Sequence, residues 1–196
     1  MQQSVVAPDV VQKRADWENK LQELDPNKMV FLDESGVNID MTRHYGRAPH
    51  KERAVDHTPE NTPTNTTILS SIRLDGSTAY TTYQGGTTGD RFVEYLENDL
   101  IPTLHEGDII IMDNMRSHHI KKVADVIQNA KMHLLYLPPY SPDFNPIEKM
   151  WSKIKSILRK MKIRSISKLS DAIKDAFTYV VQSDCLGWYR SCGIYC

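Results

Sequence analysis

The sequence contains no apolar run close to the roughly 18 residues that a membrane-spanning helix requires. Its N-terminal segment also lacks the central apolar stretch of a signal peptide, so secretion is not expected. Only three cysteines are present, and all lie within the last twelve residues: Cys185, Cys192 and Cys196. Because their number is odd and no histidine stands at metal-ligand spacing, they predict free thiols in a reducing cytosol.

The composition is that of an ordinary globular protein. Of its residues, 40% are hydrophobic and 25% are charged. The length of 196 residues predicts a single domain or a domain with extensions, long enough to bury about 70% of its unfolded surface. The net charge of −1 conceals a basic stripe of eight residues with no acid among them: Lys149, Lys153, Lys155, Arg159, Lys160, Lys162, Arg164 and Lys168. Such a stripe is typical either of a solvated helix face or of a surface that binds a polyanion.

Two short apolar runs end in an aspartate. Residues 29–32 lead into Asp33, and residues 109–112 lead into Asp113. Runs of this kind predict strands buried on both faces, as in a parallel sheet, whose carboxyl ends carry the functional groups. Thirty-four residues separate Asp113 from Glu148, near the start of a predicted helix. These three carboxylates are the first candidates for a metal site, because a buried carboxylate is costly unless it is paired or holds a metal.

Each carboxylate also has an interpretation without a metal. Asp33 and Asp113 can be strand-end acids whose oxygens accept hydrogen bonds from turn amides. Glu148 fits a capping box, with Asn145 as the N-cap and Pro146 as the first helical residue. If the site does hold a metal, oxygen ligands without histidine or thiolate favour Mg²⁺ or Mn²⁺ over zinc.

Two residues near the aspartates give weaker signals. Glu34 alternates away from Asp33 along its strand, so we expect it to face solvent. His118 follows the Asp113 strand and can approach a phosphate, although a single histidine at such a position is more often structural.

The remaining periodicity predicts an α/β fold with a mixed sheet and helices on both faces. The predicted elements are a helix within residues 1–28, a strand and turn at 38–49, a surface loop at 51–67, a hairpin around Asp75-Gly76, helices at 89–104 and 117–130, a strand at 133–137, a helix from 146 and a tail helix at 167–181. This order fits a five-stranded ribonuclease-H-like domain at residues 29–165. A helical extension at 1–28 precedes it, and a helical tail at 166–196 packs on the same domain.

Three segments resemble the catalytic domain of bacterial insertion-sequence transposases: MVFLDESGVN at residues 29–38, IIIMDNMRSHH at 109–119 and LPPYSPDFNPIEKMWSKIK at 137–155. The group is related to Tc/mariner and belongs to the DDE superfamily endonucleases. The resemblance covers roughly residues 24–193. It implies that Asp33, Asp113 and Glu148 form the catalytic triad and hold two Mg²⁺ ions, for which Mn²⁺ can substitute. The two aspartates would bridge both ions, and Glu148 would hold one.

The resemblance also implies DNA as the partner, both at the transposon ends and at the target. Members of the group cut the element ends by metal-assisted hydrolysis, and the freed 3′-hydroxyl attacks a target phosphodiester, commonly at a TA dinucleotide. The expected DNA-backbone contacts are His118, Lys149, Lys153, Lys155 and Arg159. A homodimer in the prokaryotic cytoplasm, associated with the nucleoid when bound to DNA, is implied as well.

The chain has about 28 residues before its first predicted catalytic strand, whereas full-length members of the group carry an N-terminal helix-turn-helix region. We therefore expect a split reading frame or a truncation, with end recognition supplied by a separate helix-turn-helix protein or by the upstream frame product. Alone, the chain is expected to bind DNA weakly and with a steep salt dependence. The alternative functions are a ribonuclease-H-like nuclease without strand transfer and a non-catalytic DNA-binding remnant.

Overall fold

A five-stranded mixed sheet forms the centre of the computed structural model, which describes residues 7–43, 45–60, 65–113 and 121–195. The strands are β1 Met29–Val37, β2 Thr66–Arg73, β3 Tyr80–Gln84, β4 Ile109–Met112 and β5 His133–Tyr136. They stand in the order β3-β2-β1-β4-β5. β1 pairs antiparallel with β2 and parallel with β4, while β3 and β5 complete the two sides of the sheet. The predicted mixed sheet is confirmed.

β1 is the central strand because its first four residues are apolar and their side chains alternate between two core layers. Met29 and Phe31 pack into one layer, and Val30 and Leu32 pack into the other. All four side chains are fully buried. Each buried side chain of this size contributes about 1.5–3 kcal/mol relative to an exposed one, so β1 anchors both layers.

Six α-helices cover the two faces of the sheet within the described residues. They are α1 Pro8–Leu21, α2 Gly89–Tyr95, α3 Lys121–Asn129, α4 Ile147–Met161, α5 Ile166–Phe177 and α6 Gln182–Ser191. The layer that contains Met29 and Phe31 is covered by α1, α4, α5 and α6, and the opposite layer is covered by α2 and α3. The prediction of helices on both faces is therefore confirmed. None of the described helices is long and apolar enough to cross a membrane.

The predicted strand at residues 38–49 is wrong. In the part of this segment that the structure describes, residues 38–43 and 45–49, no strand forms. The side chain of Arg164 holds the backbone instead, because its Nη1 donates to the carbonyl oxygens of Ile39 and Met41, both at 2.9 Å. The arginine side chain thus provides hydrogen bonds that a neighbouring strand would provide in a sheet.

The tail contains two helices where the sequence predicted one. α6 was not predicted because Gly187 weakens its helical pattern. The ring of Tyr189 in α6 packs edge-on against Phe31, with the ring centroids 5.4 Å apart. Its buried hydroxyl donates to the carbonyl oxygens of Met29, at 3.1 Å, and Ile72, at 3.2 Å. These contacts tie α6 to β1 and β2.

The thiols are structural. Cys185 and Cys192 are free and buried, which confirms the prediction of free thiols for these two residues. Burial raises the pKa of the Cys185 thiol to about 11, so this thiol stays protonated and unreactive at neutral pH. Cys196 lies outside the described residues.

Tyr189→Phe is expected to destabilise the fold by about 1 kcal/mol, because it removes the hydroxyl that the two buried carbonyl oxygens share. Urea unfolding measures the change. Tyr195→Phe is the matched control, since Tyr195 is 71% exposed, and its stability should stay at the wild-type level. Equal stability of the two variants would contradict a structural role for the Tyr189 hydroxyl.

Candidate active site

The parallel pairing of β1 with β4 brings two aspartates to one edge of the sheet. Leu32 of β1 lies opposite Met112 of β4. The residues that follow them, Asp33 and Asp113, therefore both lie at the carboxyl end of β4. Glu148 reaches this edge from the first turn of α4, whose apolar face packs on the sheet. All three acidic residues line one pocket of about 460 Å³. The structure therefore brings together the three carboxylates that the sequence singled out.

Asp33 is the most deeply buried of the three carboxylates. It is 8% exposed, and its Oδ2 accepts a hydrogen bond from Trp151 Nε1 at 3.0 Å. Burial is the main reason that the pKa of its carboxyl is raised to about 7, and the charges of Glu148 and Asp113 act in the same direction. The Glu34 N–H and the Trp151 indole oppose the increase. A pocket with this concentration of negative charge favours a bound cation.

The contact between Trp151 and Asp33 was not predicted. The ring of Trp151 is 3% exposed, and the apolar spacing of α4 indicates only a core residue. Trp151 follows Glu148 by three residues, so one turn of the helix carries both the acid and the indole toward the same edge. The three-residue spacing between Glu148 and Trp151 is the sequence feature from which a position of Trp151 near the pocket could have been predicted.

Glu148 does not close a capping box. α4 begins at Ile147 with Pro146 at the N-cap position, and in the described structure no side-chain hydrogen bond caps this end. The carbonyl oxygen of Asn145 accepts the Glu148 N–H at 3.2 Å, and the Glu148 side chain is exposed at the pocket. Asn145 Oδ1 is buried without a hydrogen-bond partner in the described structure. The capping interpretation is therefore wrong.

Arg14 of α1 holds the proline-rich loop that forms one wall of the pocket. Its guanidinium binds both carboxylate oxygens of Asp143, at 2.5 and 3.0 Å, and its Nη1 donates to Ser141 Oγ at 2.8 Å. The guanidinium also lies over the Phe144 ring, 4.3 Å from the centroid. A bidentate arginine–carboxylate pair fixes orientation as well as distance. The helix that the sequence indicated only as an extension thus shapes the pocket.

The donor chemistry of the pocket fits a hard divalent cation, because its charged groups are carboxylates. Across the described ranges, however, no three His, Cys, Asp or Glu side chains are arranged as a ready-made metal cluster. Within the described residues the carboxylates by themselves therefore do not enclose an ion, and one oxygen of Asp33 also accepts a hydrogen bond from the Trp151 indole. A bound Mg²⁺ would complete its coordination with water and substrate oxygens, as is usual for this ion.

Of the two weaker predictions, the structure tests the one for Glu34 and does not describe the residue of the other, His118. Glu34 does not face solvent, since it is half-buried and accepts a hydrogen bond from the hydroxyl of Thr87 in the loop before α2. The prediction that Glu34 points away from Asp33 rests on strand alternation and stands. The loop that contains Thr87, however, covers the face of the sheet to which Glu34 points. His118 lies outside the described residues, and its DNA contact stays a prediction.

Part of the basic stripe is engaged in structural contacts. Lys153 pairs with Asp184 at 2.5 Å, and Lys162 pairs with Asp56 at 2.8 Å. Arg164 binds the backbone that follows β1. The remaining predicted DNA contacts on α4 are the exposed Lys149 and the half-buried Lys155 and Arg159.

Comparison with known proteins identifies relatives of this chain. A family model described as "DDE superfamily endonuclease" matches residues 28–170, well over half of the chain. The Tcb2 transposase of Caenorhabditis briggsae is 28% identical over 100 residues, which are 48% of this chain and 37% of that protein. The Tcb1 transposase of the same organism is 35% identical over 78 residues, 37% of this chain and 29% of that protein. The chain thus spans about a third of the length of these curated relatives.

Solved structures share the fold. The crystal structure of the mariner Mos1 paired end complex with Mg superimposes with a TM-score of 0.78 at 14% identity, covering 97% of this chain and 62% of that chain. The crystal structure of the catalytic domain of Mos1 mariner transposase gives a TM-score of 0.68 at 14% identity, covering 94% and 87%. These superpositions confirm the predicted ribonuclease-H-like fold.

In metal-free protein, Asp33→Asn is expected to be stabilising by about 2–4 kcal/mol at about pH 8, and by little at about pH 4. The folded pKa of Asp33 is about 7 and its ordinary value is 3.8. The unfolded wild-type chain therefore loses this proton first, and wild-type stability falls as the pH rises between these values. Asparagine stays neutral and keeps an oxygen for Trp151.

Urea unfolding in a chelator at the two pH values measures the difference between variant and wild type. Asp171→Asn is the control, because Asp171 is exposed on α5 and its neutralisation should give no comparable pH dependence. An advantage of Asp33→Asn that is equal at both pH values would contradict the assignment.

Proposed function

The chain belongs to the DDE superfamily endonucleases, and we propose that it is the catalytic domain of a Tc/mariner-type DNA transposase. The observation that carries the proposal is that Asp33, Asp113 and Glu148 line one pocket. All three residues lie in the segment that the family model matches. Because the chain spans about a third of its curated relatives, the proposal concerns the chemistry of this pocket. That chemistry is cleavage of a phosphodiester at a transposon end and joining of the 3′-hydroxyl to target DNA.

The three carboxylates are the proposed ligands of Mg²⁺, for which Mn²⁺ can substitute, and they hold two ions in the working complex. The all-carboxylate donor set supports this, as do the solved Mos1 complexes with Mg and with Mn. When bound, the metal supplies the positive charge that activates a water or hydroxyl and stabilises the leaving oxygen.

Side chains around the pocket control the orientation of the Asp33 carboxylate, its protonation and the position of the pocket wall. Trp151 fixes one oxygen of Asp33, so this carboxylate keeps one orientation while the pocket fills. Because the pKa of the Asp33 carboxyl is about 7, metal binding displaces its proton and strengthens as the pH rises. Arg14 holds the loop of Ser141 and Asp143, which keeps the pocket wall in place against a bound strand.

DNA is the proposed substrate, at the transposon ends and at the target. Lys155 and Arg159 follow Glu148 by seven and eleven residues, so they share its face of α4 at about 10 and 16 Å along the helix axis. A strand whose scissile phosphate meets the carboxylates can therefore meet two further cations. The solved paired-end complex of Mos1 transposase with the left transposon end supports this class of substrate. A homodimer and a separate helix-turn-helix partner are proposed from the family resemblance alone.

Asp113→Asn is expected to lower Mn²⁺-dependent nicking of a supercoiled plasmid by at least about a hundredfold, because it removes the charge of a metal ligand. The assay compares wild type, this variant and Asp90→Asn, in which a surface-exposed aspartate on α2 is neutralised. Asp90→Asn should nick at the wild-type rate. Equal nicking by Asp113→Asn and wild type would remove Asp113 from the mechanism.

A strand-transfer assay with a pre-cut 3′-hydroxyl end distinguishes the transposase from the alternative nuclease. Joining of that end to a target duplex is the expected result. Nicking without any joining would instead support a ribonuclease-H-like nuclease.

The double substitution Lys155→Ala/Arg159→Ala is expected to weaken duplex DNA binding and to reduce the slope of log affinity against log salt by about 2, since each phosphate contact contributes about 1. Lys121→Ala/Lys122→Ala is the matched control, because both lysines are exposed on α3 at the opposite face of the sheet. An equal loss of slope in the two double variants would show that the effect reflects net charge rather than position on α4.

A further inference from the structure

A groove of about 830 Å³ lies between α4 and α6, beside the face of α4 that carries Glu148. Its walls are apolar, with Ile157 from α4, Trp188 from α6 and Tyr179 from the connection between α5 and α6. Tyr179 is 56% exposed. Large exposed aromatic surfaces in a concave site are typical of ligand-binding surfaces, and the catalytic chemistry proposed above does not use these rings.

The rim of this α4–α6 groove is cationic. Lys149, Lys153 and Lys160 line it, and within its described lining Asp184 is the one acidic residue, which leaves a formal charge of +2. Lys153 pairs with Asp184 at 2.5 Å, so Lys149 and Lys160 provide the net positive charge. These two lysines are eleven residues apart on one helix, about 16 Å along its axis. The charge is thus spread along the groove and suits an extended anion.

Aromatic rings between spaced cations form the pattern of single-stranded nucleic acid sites, in which bases stack on the rings and phosphates meet the cations. We infer that the α4–α6 groove binds a single-stranded segment of DNA, with bases on Tyr179 and Trp188 and phosphates on Lys149 and Lys160. Lys149 at one end of the groove follows Glu148 directly on α4, so the groove starts beside the catalytic pocket and lies within reach of a strand that leaves it. This inference rests on the proposed function for the identity of the strand.

Trp188 is a natural reporter of this binding. Of the three tryptophans, Trp17 and Trp151 are buried at 5% and 3% exposure, whereas Trp188 is half-buried. Titration of the full chain with an oligothymidylate of about eight nucleotides, in a chelator so that no cleavage occurs, is expected to quench the fluorescence. The quenching should be absent in Trp188→Phe, and a blunt duplex of the same length should quench less because its bases are not free to stack.

Two sets of variants test the separate contacts. Tyr179→Ala is expected to weaken oligothymidylate binding about tenfold, the effect of one lost stacking contact. Lys149→Ala/Lys160→Ala should lower the salt slope by about 1.4, as expected for two contacts to a single strand. The matched controls are Tyr195→Ala, at a residue 71% exposed elsewhere, and Lys121→Ala/Lys122→Ala. Both controls should bind like wild type, and urea unfolding checks that every variant is folded.

Equal quenching by duplex and single strand, or unchanged binding by Tyr179→Ala, would overturn the inference. Absence of quenching in a wild-type protein whose nicking depends on Asp113 would overturn the groove assignment and leave the proposed function intact. Conversely, Trp188-dependent quenching in a protein whose nicking is indifferent to Asp113 would support the groove as a DNA site and overturn the proposed function.

Discussion

The burial of Asp33 beside two further carboxylates is the constraint that the rest of the structure has to accommodate. Burial, reinforced by repulsion from the charges of Glu148 and Asp113, raises the pKa of the Asp33 carboxyl to about 7. Such an arrangement persists only where the surrounding structure is stable without it. The fully buried residues at the start of β1 and along β4 provide that support. The free energy that the burial of Asp33 costs is recovered when a cation binds, because a ligand of the folded state stabilises that state.

α4 links the core, the pocket and the outer surface. One stripe of its side chains, including Ile154, packs in the core. The turn that contains Glu148 and Trp151 reaches the pocket, and a neighbouring face forms the wall of the α4–α6 groove. Because these three faces belong to one rigid helix, a rotation of α4 would move the acid, the indole and the groove together. The position of Glu148 is therefore set by the apolar packing of the entire helix rather than by local contacts at its N-terminus.

Features with a local signal were predictable, and contacts between distant segments were not. The apolar runs before Asp33 and Asp113 indicated buried parallel strands directly from their composition, and the paired aspartates followed. The family resemblance, rather than the pattern, singled out Glu148 against a capping role. By contrast, Arg14 and Asp143 are 129 positions apart, and Trp151 and Asp33 are 118 apart. Neither contact affects the local periodicity of apolar residues in the sequence, because each contact depends on how α1 and α4 pack against the sheet.

The register of β1 against β4 limits where the chain can change in length. Since Leu32 lies opposite Met112, one inserted residue inside either strand would turn the following carboxylate to the other face of the sheet. The exposed polar connection that includes residues 45–60 is under no such restriction, because doubling the length of a flexible loop costs only about 0.6 kcal/mol. Natural variation among related chains should accordingly accumulate as insertions and deletions in that connection, while the lengths of β1 and β4 stay constant.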